Sequence, residues 1–181
     1  MEPVLFADSA AFEAWLDAYH GERSEIWILV GKKGSGVASL AVEEALDAAL
    51  CYGWIDGQRK GYDERHFLQR YVPRRPRSAW SQVNVAKVEA LTAAGRMRPA
   101  GLAEVARAQA DGRWAAAYPS QRTATVPPDL AEALDGDERA KAAFEALPAT
   151  ERYLVILHLM KLRTAAGRAA RVKAVLEQLR A

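Results

Sequence analysis

Between Arg59 and Arg77 seven cations fall within nineteen residues, with Asp63 and Glu64 as the only acids among them. Tyr71 and Trp80 stand in and just beyond this run. Guanidinium forks hold phosphates and carboxylates, and aromatic faces stack on planar groups and cations. The run ends in Trp80-Ser81-Gln82-Val83-Asn84-Val85, which carries a helix start: Ser81 is placed to cap, with Trp80 before it packing on Val85. The free N–H groups of that first turn then point back at Arg74–Arg77. Arginine forks beside a helix N-terminus make an oxyanion or phosphate site. A solvated hairpin whose arginines pair with the acidic N-terminal third is one competing outcome, and a buried Asp56–Arg70 pair holding the hairpin to the following helix is another.

Two strands must position these groups. Trp54 to Arg59 and His66 to Val72 read as an antiparallel hairpin around Gly61 and Asp63. Strict alternation puts Trp54, Asp56 and Gln58 on one face and Ile55, Gly57 and Arg59 on the other. Arg70 falls with Leu68 and Val72. Upstream, Asp8 or Ser9 caps a helix to about Tyr19, and Ile26–Val30, apolar on both faces, reads as a central strand. Val42 to Leu50 form a second helix, with Gly53 suited to its left-handed stop. After Ser81 one helix shows Val85, Val88 and Leu91. Pro99 opens another that buries Leu102, Val105 and Ala106. The expected fold class is α+β, a small antiparallel sheet of about three strands packed with helices and followed by a helical module. The expected boundaries are 1–118, a proline-bounded linker at 119–128, and 129–181. In the last part Leu130, Leu134 and Phe144 mark two helices, Thr150 caps a third bearing Tyr153, Ile156, Leu157 and Met160, and Ala165, Ala169, Val172, Val175, Leu176 and Leu179 stripe the last.

Charge blocks sharpen the same contrast. Residues 1–50 carry three basic and nine acidic groups, residues 51–100 ten and four, and the whole chain of 181 residues is only +2. Half the residues are apolar, which excludes a disordered chain. No stretch reaches the roughly 18 apolar residues of a membrane span, and the N-terminus lacks the pattern of a secretory signal, so a cytoplasmic location is expected. The single cysteine, Cys51, excludes an internal disulfide framework. At the end of a helix its thiol is disfavoured as an anion and reads as core. Gly31-Lys32-Lys33-Gly34-Ser35-Gly36 has the wrong spacing for a phosphate loop. His20, His66 and His158 have no ligand-spaced neighbours. No cofactor and no catalytic residue is assigned.

Ala49-Leu50-Cys51-Tyr52-Gly53-Trp54-Ile55-Asp56-Gly57, then Pro73-Arg74-Arg75-Pro76 with Ser78, Trp80, Ser81 and Asn84, then Gly95-Arg96-Met97 with Gly101 resemble the bacterial YdeI/OmpD-associated family. The likeness runs from the Phe12–Trp15 region through Ala181. It implies a YdhG-like α+β part, a helical end module, and protection against bacteriocins or cationic antimicrobial peptides through an envelope association, direct or indirect. The candidate ligand-binding set is Trp54, Asp56, Arg59, Arg70, Arg74, Arg75, Trp80, Ser81 and Asn84. Three functions compete for it: a non-enzymatic resistance accessory protein binding an anionic partner, a nucleic-acid binder using hairpin 59–77, and an enzyme or binder of a phosphate- or carboxylate-bearing metabolite, which needs Trp54, Asp56 and Arg74 in one pocket.

Overall fold

The structure, a computed structural model, describes residues 2–181. Among them are four strands and eight helices in the order β1 (Val4–Leu5), α1 (Ser9–Tyr19), β2 (Ile26–Gly31), α2 (Val42–Cys51), β3 (Trp54–Gly61), β4 (His66–Pro73), α3 (Gln82–Ala93), α4 (Pro99–Ala110), α5 (Pro128–Asp135), α6 (Glu138–Ala146), α7 (Ala149–Met160) and α8 (Ala165–Arg180). None of these helices is long and apolar enough to cross a membrane. Contacts divide the chain into two compact units, Met1–Ser78 with Asn84–Ala115, and Ala79–Val83 with Ala116–Ala181. The class is α+β.

The first unit is built on a four-stranded sheet ordered β1-β2-β4-β3. β2 pairs antiparallel with β4, and β4 with β3. β1 runs parallel to β2, Val4 opposite Ile28, so the sheet is mixed and has one strand more than expected. A two-residue strand has no periodicity of its own to read. It exists because α1 provides the crossover a parallel pair needs. Asp8 caps α1 by accepting from the Ala11 N–H at 2.9 Å. Gly53, at φ 76°, follows the α2 cap at Tyr52 and turns the chain into β3.

Ile26, Ile28 and Val30 of β2 are buried on the face that β4 shares through Gln69 and Tyr71. The Tyr71 ring lies 5.5 Å from that of Phe12 on α1, and its hydroxyl donates to the Val42 carbonyl on α2. Trp54 packs edge-on against Trp15. These contacts place α1 and α2 over one face of the sheet.

α4 does not bury Leu102, Val105 and Ala106 as its apolar spacing predicted. Leu102 is 45 % exposed, and the inward side carries Gly101, Glu104 and Ala108. Backbone proximity explains the choice. A Cβ on Gly101 would lie 2.2 Å from the Cys51 carbonyl oxygen, so glycine alone lets α4 approach the end of α2. Glu104 then enters with a partner: its Oε1 meets Arg113 Nη1 at 3.1 Å, while Arg113 also holds Asp111 at 2.7 Å and donates to the Ser78 carbonyl.

In the second unit Tyr118 bridges Ser81 in parallel, donating to the Trp80 carbonyl and accepting from the Gln82 N–H. Leu130, Leu134, Phe144, Ile156, Leu159, Val172 and Val175 form its core. α7 begins after Pro148, so Thr150 lies inside the helix, and the buried pair is Ile156 and Leu159. On α8 the first alanines of the expected stripe, Ala165 and Ala169, are exposed. Arg168 takes the inward side, bonding Asp129 at 2.7 Å and the Leu159 carbonyl at the end of α7.

A candidate cationic surface

Alternation fails in the middle of β3. Asp56 opposes Tyr71 but Arg59 opposes Gln69, so Gly57 and Gln58 together face Arg70 in a β-bulge. The extra residue shifts the parity of everything after it. Arg59 therefore lies on the same face as Asp56 and Trp54, correcting the expected partition. The fastening is a buried polar side chain: the Gln69 amide donates to the Gly57 carbonyl at 3.2 Å, and its oxygen accepts from Arg59 Nε at 3.1 Å. Gln69, a polar residue on the inward face of a strand otherwise showing Phe67 and Tyr71, is the mark this irregularity leaves in the sequence.

Arg70 does lie with Leu68 and Val72, on the other face. Its partner is Glu25, not Asp56: Nε donates to Glu25 Oε2 at 2.7 Å, and Nη2 to the same oxygen. An Asp56–Arg70 pair is excluded because the two residues face opposite sides. Two further cations of this unit also take acids from the N-terminal third, Arg96 with Glu13 and Lys87 with Asp47, each at 2.7 Å. The pairing expected of the acidic block is therefore real, and Arg70 is a member of the Arg59–Arg77 run that takes part in it.

The remaining members separate along the hairpin. At the strand-start end Arg74 is buried, its N–H bonded to the Gly53 carbonyl, and Arg75 and Arg77 are exposed. At the other end of this eight-residue strand, about 23 Å long by its seven rises, the turn carries Arg59, Lys60 and Arg65. There the loop after β2 joins them. The Lys32 N–H donates to the Arg65 carbonyl at 2.8 Å and its ammonium to the Asp63 carbonyl at 2.7 Å, with Lys33 alongside in sequence. Arg59 lies 4.6 Å over the Phe67 ring and Lys60 4.8 Å over Trp27, contacts worth about 0.5–1 kcal/mol each at exposed sites.

Five cations thus meet two acids, Asp63 and Glu64. Asp63 is engaged locally by the N–H groups of Arg65 and His66 and by the His66 ring. Desolvation, which raises its pKa, is outweighed by these bonds, and the carboxyl sits below its ordinary value. None of Lys33, Arg59, Lys60 and Arg65 forms an ion pair with a carboxylate among the described residues. Asp56 lies close enough to Arg59 and Arg74 for both to lower its pKa, yet desolvation wins and the carboxyl sits above its usual range. The residue as a whole is exposed, so this shift moves a titration without adding appreciable stability.

Trp54 is part of the core: it is 1 % exposed and its indole donates to the His20 carbonyl. Asn84 belongs to the first unit, at the start of α3, whereas Trp80 and Ser81 belong to the second. The Gln82 N–H, first of the helix donors counted on for an oxyanion, is already taken by Tyr118. Lys32, Trp27 and Phe67, which complete the turn end, were not in the expected set. Phe67 is brought there within the hairpin, and Lys32 and Trp27 by strand pairing across more than thirty residues.

Fold and surface together define an α+β domain with a cationic sheet end, in a chain that closes with a helical module. Residues 4–104 match a domain of unknown function (DUF8412), and the chain belongs to that family, which spans more than half of it. Residues 123–181 match the family described as bacteriocin-protection, YdeI or OmpD-associated, and that match suggests a bacteriocin-protection role. The resemblance to the latter family is thus shown over the C-terminal part of the chain. No curated protein and no solved structure matches the chain.

Proposed function

We propose that this chain is a cytoplasmic bacteriocin-protection accessory protein that works by binding, not catalysis, and takes an anionic partner on the turn end of its sheet. The observation that carries this reading is the group of five cations around the β3–β4 turn, two of them seated on aromatic rings, with Asp63 already engaged locally. Such a surface attracts anions and repels cations. Protection through it runs by way of an anionic cellular partner, and a cationic peptide is not sequestered there.

The test is survival under a cationic peptide such as polymyxin after deletion of the gene. Survival is expected to fall, to recover with the unaltered gene, and not to recover with Arg59→Glu, Lys60→Glu and Arg65→Glu combined. Unchanged survival in the deletion strain rejects the reading.

Single-stranded nucleic acid is a second reading of the same surface, favoured by Tyr62, which is 55 % exposed two positions after Lys60, and by the Lys60–Trp27 contact. It requires affinity to fall by about 0.7 log units per log unit of salt for each phosphate neutralised. A flat salt response removes it.

A further inference from the structure

The second unit contains a recess of about 420 Å³ that the cationic surface does not use. It lies among α5, α6, α7 and the irregular segment before α5. Leu134, Phe144 and Ile156 form its floor, and Ala124, Ala131 and Val126 stand in its walls. Val126 is 38 % exposed, an apolar side chain left in contact with water. The volume falls within the range of small-molecule sites, which are mostly apolar with a few fixed polar groups.

The polar lining groups are held at the rim by contacts of their own. Lys141 pairs with Asp135 at 2.7 Å, Arg152 donates to the Glu145 carbonyl at 3.3 Å, and the Tyr153 hydroxyl donates to the Pro119 carbonyl at 3.1 Å. Two acids and two bases line the recess, so their charges cancel. A charged ligand would lose hydration on entering an apolar floor without a net opposite charge to meet it. An uncharged one gains by burial alone.

We infer that this recess is a binding site for an uncharged, largely apolar small molecule. The site needs no rearrangement of the rim, because each rim group named is already fixed by a neighbour.

A matched pair of dyes tests this on the full chain. N-phenyl-1-naphthylamine is uncharged, and 1-anilinonaphthalene-8-sulfonate is the same ring system bearing a sulfonate. The neutral dye is expected to bind saturably, at least about tenfold more tightly than the sulfonate, and to shift the backbone amide resonances of Ala124, Ala131 and Val126. Ala131→Trp fills the recess and is expected to abolish binding of the neutral dye. Ala124→Leu narrows it from another wall and keeps the test open if the tryptophan variant fails to fold. Equal affinity for both dyes, resonance shifts confined to other residues, or undiminished binding by a folded filled variant would each overturn the inference.

Discussion

The two ends of the β3–β4 hairpin are made from the same residue types and behave oppositely. At the strand-start end charge is taken inside. Arg74 is buried beside Gly53, and close by Glu104 is 1 % exposed, facing Arg113, with its Cβ about 3.5 Å from where a Gly53 side chain would begin. At the turn end Arg59, Lys60 and Arg65 remain in water, steadied by rings and by Gln69. Density of arginine along the chain therefore says little about a surface. Strand register and the reach of distant carboxylates decide which cations remain available.

The sharpest way to break this contrast is Glu104→Ala. Removing Glu104 leaves the buried Arg113 with Asp111 alone and forfeits a charged hydrogen bond in the interior, at a cost of about 3 kcal/mol. Calorimetry should show the melting temperature of the first unit lowered by more than about 10 °C. Gly101→Ala attacks the same end by steric means, forcing α4 away from the Cys51 carbonyl, with an expected loss of about 2–3 kcal/mol in denaturant titration. A loss below about 0.5 kcal/mol would show that the helix approach is not tight.

Alkali should also act on that end. Desolvation raises the Cys51 thiol from 9.0 to about 11. Between those values the unfolded state has released its proton and the folded state has not, so stability falls as pH climbs from about 9 to 11. The thiol contributes up to about 2–3 kcal/mol to this loss. Cys51→Ala should flatten that limb of the stability profile measured by urea titration, and the wild-type thiol should resist alkylation at neutral pH until the chain unfolds. The half-exposed Arg70–Glu25 pair is a milder case, and a double-mutant cycle on it should return no more than about 1 kcal/mol. Smallest in stability is the triple reversal of Lys33, Lys60 and Arg65, expected to stay within about 1 kcal/mol per site while sharply weakening retention on an anionic resin. A large loss of stability there would mean that the turn end, too, is structural.

What could be read in advance follows from the range of the forces involved. The Asp8 cap, the Gly53 stop and Pro99 at the start of α4 depend on a few adjacent residues, and each was visible. The hairpin was visible for the same reason. The inward side of α4 was not, because glycine and a paired glutamate occupy positions that apolar spacing assigns to leucine and valine. Plain alternation assigns Arg59 to the opposite face because an inserted residue defeats a period of two. Glu25 was missed as the partner of Arg70 because forty-five positions separate them and only the β2–β4 register brings them together. The membership of the cationic set failed likewise: Lys32 arrives from another loop, and Trp54 was drawn inward by Trp15 and His20.

The bulge at Gly57 and Gln58 has an evolutionary corollary. Loss of a single codon there would restore plain alternation and still leave the two cations that follow on their present faces, because Arg59 would then follow Asp56 by two positions and keep Gln69 opposite it. The bulge thus absorbs a one-residue difference in length without inverting the electrostatic imprint of the sheet, so relatives with one residue fewer at this spot should present the same pattern to whatever they meet.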